Sequence, residues 1–165
     1  MIESKFSTWV ILPASISIFL LSITFFFLFR NDEVFNPDTP LIFRLIFSAF
    51  FIYFSLFIIW GELRTKAIKI YIKDGTITKK GFLGLGLKTT YDFTNIDGYK
   101  ISFLLSRGGA YEYLYLIIGN KKVIKVSEYY HGNYNALKLT LIKQGIKNLG
   151  FEQWSFLTET KEMFS

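Results

Sequence analysis

The hydrophobic pattern divides the chain in two. Residues 9–29 form an apolar run of 21 positions without a charge, and residues 41–60 a second run of 20 positions in which Arg44 is the one charge. At about 1.5 Å of helical rise per residue, each run covers the roughly 30 Å hydrocarbon core of a bilayer. The polar stretch 30–40 between them predicts a turn, so residues 1–60 read as a transmembrane helical hairpin. From Ala67 the period changes to two. Ile68, Ile70 and Ile72 alternate with Lys69, Tyr71 and Lys73, the mark of a half-buried strand.

The rest of the chain continues in strands. Asp74-Gly75 is a two-residue hairpin signal, and residues 75–80 return as a second strand. A glycine-rich loop follows at residues 81–86, then strands over 87–92, 98–106, 110–118 and 122–127, with turns at 93–97, 107–109 and 119–121. After Glu128 the spacing of Leu139, Ile142, Ile146 and Leu149 predicts a helix over 136–149, capped by Asn133 or Asn135 and ended by Gly150, with Gly145 a poor interior residue. The expected division is therefore a hairpin at 1–60, a basic linker at 61–66, a β-rich domain at 67–150 and a tail at 151–165 that no pattern places.

This order, six meandering strands closed by one helix, suggests a small antiparallel barrel. Residues 67–150 resemble the bacterial members of the pleckstrin-homology-like (PH-like) superfamily. The likeness rests on the opening hairpin 68–80, the step YDFTNIDGY at 91–99, the hairpin EYLYLIIGNKKVIKVSE at 112–128 and the helix NYNALKLTLIKQGIKNLG at 133–150. The resemblance implies a membrane helical hairpin followed by an α+β PH-like domain, a barrel of six or seven strands capped by a C-terminal helix. Such domains have seven strands and six are counted here, so an irregular one in 81–87 is the expected remainder. Small bacterial membrane proteins often place such a domain after a two-helix hairpin.

Charge gives the hairpin a direction. The turn carries Arg30 and, at its edge, Arg44. The flanks carry Lys5, Arg64, Lys66, Lys69 and Lys73. The side richer in Lys and Arg is the inner one, so the expected location is the bacterial inner (plasma) membrane with both termini cytoplasmic. Trp9, Trp60, Arg64 and Lys66 would then anchor the inner interface, with Arg44 snorkelling to the outer one. The first run is too long for a signal-peptide core of about 7–15 residues and lacks a cleavage site, so it reads as a retained anchor. Ser15 with Ser22, and Ser48 with Ser55, each lie seven apart on one helical face. They suit either packing of the hairpin on itself or the seam of a homodimer.

Candidate chemistry is sparse. The chain has no cysteine and one histidine, His131, which reads as a loop residue. Gly81, Gly84 and Gly86 lack the spacing and the following Lys-Ser or Lys-Thr of a phosphate loop. Asp92 and Asp97 read as turn formers, and Tyr111, Tyr113 and Tyr115 as one strand face, either packing or a binding wall. No catalytic, metal or cofactor site is expected, and the scattered basic residues match no nucleic-acid motif. The net charge of +6 beside a bilayer fits anionic headgroups.

Connectivity singles out one loop. The first strand leads away from the membrane and the second returns, so residues 81–86 come back toward it. Phe82, Leu83 and Leu85, flanked by Lys79, Lys80 and Lys88, combine an apolar tip with basic shoulders, as an interfacial contact requires. The alternative folds Phe82 and Leu85 into the barrel mouth. The loop that binds inositol phosphates in eukaryotic relatives is reduced here to Asp74-Gly75, so that activity is not expected. The expected function is a membrane-anchored, non-enzymatic binding or scaffolding protein with a protein partner. The alternative is an accessory subunit that joins a larger complex through the hairpin.

Overall fold

The computed structural model describes residues 1–29, 40–106 and 109–155. The expected turns at 30–39 and 107–108 and the tail beyond residue 155 lie outside the described residues. Helices α1 (Ile11–Phe29) and α2 (Leu41–Ile58) form the hairpin. A short 3-10 turn, Thr8–Val10, leads into α1, and a wider π turn, Ile59–Leu63, continues α2. With these turns the two helices, Thr8–Phe29 and Leu41–Leu63, are long and apolar enough to cross a membrane.

The helices pack antiparallel through small residues. The Ser55 hydroxyl donates to the Ser17 carbonyl at 3.3 Å, while the Phe27 ring meets Phe47 and Phe51 further along. Ser48 and Ser55 are buried in this seam, and the α1 residues facing them are Ser17 and Thr24. Ser15 and Ser22 are exposed. Two positions on a helix turn a side chain by about 200°, so the pair expected at the seam points the other way. A helix that is apolar all round has no polar face to fix its rotation, and the α1 sequence left this choice open.

Among the described residues the β-rich domain has eight strands: β1 (Ile2–Glu3), β2 (Lys69–Lys73), β3 (Thr76–Lys80), β4 (Lys88–Asp92), β5 (Gly98–Ser106), β6 (Gly109–Ile118), β7 (Lys121–Ser127) and β8 (Asn148–Phe151). They form two four-stranded sheets, ordered β1-β2-β3-β4 and β7-β6-β5-β8. Among the described residues no strand of one sheet is paired with a strand of the other, which corrects the expected closed barrel. The six strands from β2 to β7 match the expected ones within two residues. The two additions sit at the chain's margins: β1 pairs with β2, Ile2 opposite Ile72, and β8 runs parallel to β5. A two-residue strand shows no alternation of its own. Its partner defines it.

Ile70, Ile72 and Ile77 from the first sheet meet Leu114, Leu116, Ile124 and Val126 from the second, and α3 (Tyr134–Lys143) adds Leu137 and Leu141. Burying each of these aliphatic side chains contributes about 1.5–3 kcal/mol. Helix α3 is shorter than expected, because Gly145 ends it rather than lying inside it. With φ at +79°, its N–H donates to Ile142 at 2.9 Å and the Ile146 N–H to Leu141 at 3.2 Å, the paired bonds of a Schellman stop. Ile146 therefore packs in the core as the residue after the stop. The chain then crosses β5 so closely that a Cβ on Gly98 would stand 2.5 Å from the Lys147 carbonyl oxygen.

Candidate functional site

The end of the domain nearest the hairpin is bonded to it from three directions. Residues before α1 run alongside β2 and the turn 128–133: Ser4 N–H donates to the Ile70 carbonyl, and the Ile70 N–H returns to Ser4 Oγ, both at 2.8 Å. Ser7 N–H reaches the Tyr130 carbonyl, and Ser7 Oγ the Tyr129 carbonyl, both at 2.9 Å. The Asn133 side chain donates to Glu3 O and accepts from Lys5 N–H. The residues leading into α1 and the strand following α2 thus share one sheet, and both free ends of the hairpin face the domain.

Glu62, in the π turn, is the hub of this junction. One carboxylate oxygen accepts from Lys66 Nζ at 2.6 Å, the other from Tyr130 Oη at 2.7 Å. Burial and the adjacent carboxylate push the Tyr130 phenol far above its ordinary range, so it stays protonated and donating. Lys66, expected among the interfacial anchors, is buried in this cluster. His131 lies in the turn between β7 and α3, as expected of a loop residue, and it is buried there. Its Nε2 lies 2.9 Å from the Ile68 carbonyl oxygen, while Nδ1 lies 2.9 Å from Ser127 O and 3.2 Å from Ser127 N. Burial holds its pKa below the usual value. The ring pins the entry of β2 to the exit of β7.

Against this junction lies the loop between β3 and β4. Phe82 packs with Val10, Leu63, Ala67 and Tyr130, and its ring meets the Trp60 edge at 6.2 Å. Leu83 N–H donates to the Ala67 carbonyl at 2.8 Å, and a Cβ on Gly81 would lie 3.1 Å from the Arg64 carbonyl oxygen. Phe82 and Leu83 both adopt left-handed backbone, φ 48° and 60°, at roughly 1–2 kcal/mol each. Leu85 is 90% and Leu87 93% exposed, and Leu83 is partly so. Phe82 thus turns inward and Leu85 outward, so the two do not fold inward together.

The basic shoulders divide as well. Lys79 faces between the sheets and donates to the Val123 carbonyl, and burial with the nearby Arg64 charge lowers its pKa. Lys69, Lys80 and Lys88 stand directly opposite one another across β2, β3 and β4. Lys69 pairs with Glu3 at 2.7 Å, whereas Lys80 and Lys88 have no acidic partner among the described residues. Like charges in such register repel. Trp9 and Trp60 are both about half exposed at this same end. Trp9 stacks on Tyr129 at 5.8 Å, and the Arg64 guanidinium lies 5.1 Å over Trp60.

One further feature lies away from the hairpin. Among the described residues strand β4 is a free edge of its sheet, and a groove beside it is lined by Thr90, Tyr91, Asp92, Asn95, Ile118, Lys121 and Val123. Of the tyrosine face, Tyr113 and Tyr115 are buried. Among the described residues no group of three or more His, Asp or Glu side chains is placed to hold a metal. Sequence reasoning missed the Glu62–Tyr130 and His131–Ile68 contacts. They join residues more than sixty positions apart, and no local pattern announces them. No protein-family model matches this chain, and neither a curated protein nor a solved structure does.

Proposed function

We propose that this is a membrane-anchored, non-enzymatic interaction protein, in which a PH-like domain is held against its own bilayer and offers its far side to a protein partner. The observation that carries the reading is the exposure of Leu85 and Leu87 at the end of the domain bonded to the hairpin exit. Water gives such side chains nothing, while an interface buries them and supplies anionic headgroups to Lys80 and Lys88. The charge asymmetry across the hairpin supports a cytoplasmic domain in a bacterial inner membrane. The order of two sheets and a late helix supports the PH-like reading. The partner surface is the β4 edge, whose unpaired backbone suits an added strand.

Ser15 and Ser22, exposed on the outer face of α1, favour a second reading. Small residues there let another membrane helix approach closely, as an accessory subunit or a homodimer requires. Photo-crosslinkers placed at Thr89 and at Ser15 of the full chain in native membranes separate the two. Protein adducts from Thr89 support the first reading and adducts from Ser15 alone the second. Absence of protein adducts at both sites contradicts both.

A further inference from the structure

We propose that the domain touches the bilayer at a second point, the arm formed by the outer halves of β5 and β6, through Leu105. The inference rests on the reading of α1 and α2 as a transmembrane hairpin. Strand β7 ends at Ser127 opposite Tyr113, but β5 and β6 stay paired beyond it, through Leu104 opposite Tyr111 and Leu105 opposite Ala110. These pairs form a two-stranded arm that outreaches its sheet.

The direction of the arm follows from its neighbours. Past Ser127 the chain runs alongside β6, with Glu128 N–H bonded to the Glu112 carbonyl, and reaches the hairpin base, where the Tyr129 and Tyr130 carbonyls bond Ser7. The arm follows the same course. Tyr111 meets the Tyr129 ring edge-on at 5.0 Å, and Tyr129 stacks on Trp9. Tyr111 thus stands beside the tryptophan at the head of α1, and Leu105 lies one register step further out. Leu105 is 82% exposed, and Ala110 opposite it is exposed too. A two-stranded arm gains little by presenting leucine to water. Continuity with the interfacial level of Trp9 identifies a lipid surface as what covers it.

The first contact lies beside Trp60, in the π turn that continues α2, and the second beside Trp9, in the 3-10 turn that leads into α1. Two bilayer contacts at opposite ends of the hairpin base add to the hydrogen bonds that already hold the domain against the hairpin. Their chemistry differs. Lys80 and Lys88 make the first responsive to anionic lipid and to salt. The second rests on an aliphatic side chain and is indifferent to both.

Because the chain has no cysteine, single nitroxide labels are placed cleanly. Leu105→Cys, Ala110→Cys, Leu85→Cys and a span control, Ile46→Cys, are labelled in the full protein, set in nanodiscs of zwitterionic lipid with or without anionic lipid. Oxygen and nickel-chelate accessibility gives the depth. The expected result is a label at 105 and at 110 below the phosphate level in both lipids and at high salt. Aqueous labels at both arm positions, with 85 in lipid, overturn the second contact and leave the first. Aqueous labels at 105, 110 and 85, with 46 in lipid, overturn docking and leave the hairpin. An aqueous label at 46 overturns the hairpin itself. Labels at 105 and 110 shielded from both reagents indicate protein packing, and also overturn the proposal.

Discussion

The two ends of the β-rich domain solve the same backbone problem with different residues. At the far end, the turns joining β2 to β3 and β6 to β7 place Asp74 and Gly75, then Gly119 and Asn120, in left-handed conformation. These residue types enter that region at little cost and keep their side chains wet. The Asp97 carboxylate even accepts from the Gly119 N–H at 2.6 Å. At the hairpin end the same backbone region is imposed on Phe82 and Leu83, and leucines stand outward. A turn designed for water would not use them. The contrast supports the proposal that the two ends face different surroundings, and the left-handed backbone near the hairpin secures a position for Phe82 against Trp60.

The largest expected effect comes from cutting the junction that makes the ends unlike. His131→Ala leaves the Ile68 carbonyl and the Ser127 backbone without their buried partner, at a cost of about 3 kcal/mol. Denaturant titration in detergent measures it. An effect under about 0.5 kcal/mol would mean the hairpin end is no more tightly built than the far one.

The double change Leu85→Ser with Leu87→Ser tests the surroundings directly. An interface buries each leucine only in part, so each change forfeits the lower end of about 1.5–3 kcal/mol, and docking should weaken roughly 100-fold, read as loss of quenching by brominated lipid of a probe at residue 83. Stability in detergent should stay within about 0.5 kcal/mol, since neither side chain touches the core. Equal loss in both readouts would place these leucines in the fold after all.

Acid should loosen the hairpin end through His131. Burial is the main cause of its lowered pKa, with the Lys69 charge adding to it and the bonds to Ile68 and Ser127 opposing. Above the ordinary value of 6.5 the ring is neutral in both folded and unfolded chains, and stability is full. Below it the unfolded chain takes up a proton that the folded one refuses, so stability falls until the lower folded pKa is reached. Melting followed from pH 7.5 to pH 5.5 should show this decline, and His131→Gln should remove it.

The smallest effect concerns strain. Leu83→Gly should stabilise the detergent-solubilised protein by about 1 kcal/mol by relieving a left-handed leucine. Asn120→Gly should change it by a few tenths, because asparagine already tolerates the region. Matching gains at both sites would remove the distinction between the ends.

The strands β2 to β7 were legible because turn chemistry bounds each of them, and β2 also alternates along its length. The hairpin was legible because length and polarity suffice. What escaped was whatever depends on distant partners. Helix rotation left Ser17 and Thr24 unrecognised. The β1 and β8 additions carry no pattern, and Gly145 is a stop only because Ile146 has a core to enter. The loop at 81–87 was found from connectivity, and its division into an inward Phe82 and outward leucines was not, because that depends on where the hairpin base stands. Lys66 and Lys79 look like free surface charge in sequence, yet one serves Glu62 and the other Val123.

The most direct test of the account compares nitroxide depth at Leu85→Cys with that at Asn120→Cys in the same nanodiscs. The account predicts high oxygen and low nickel-chelate accessibility at residue 85 and the reverse at residue 120. Aqueous values at both positions would contradict it.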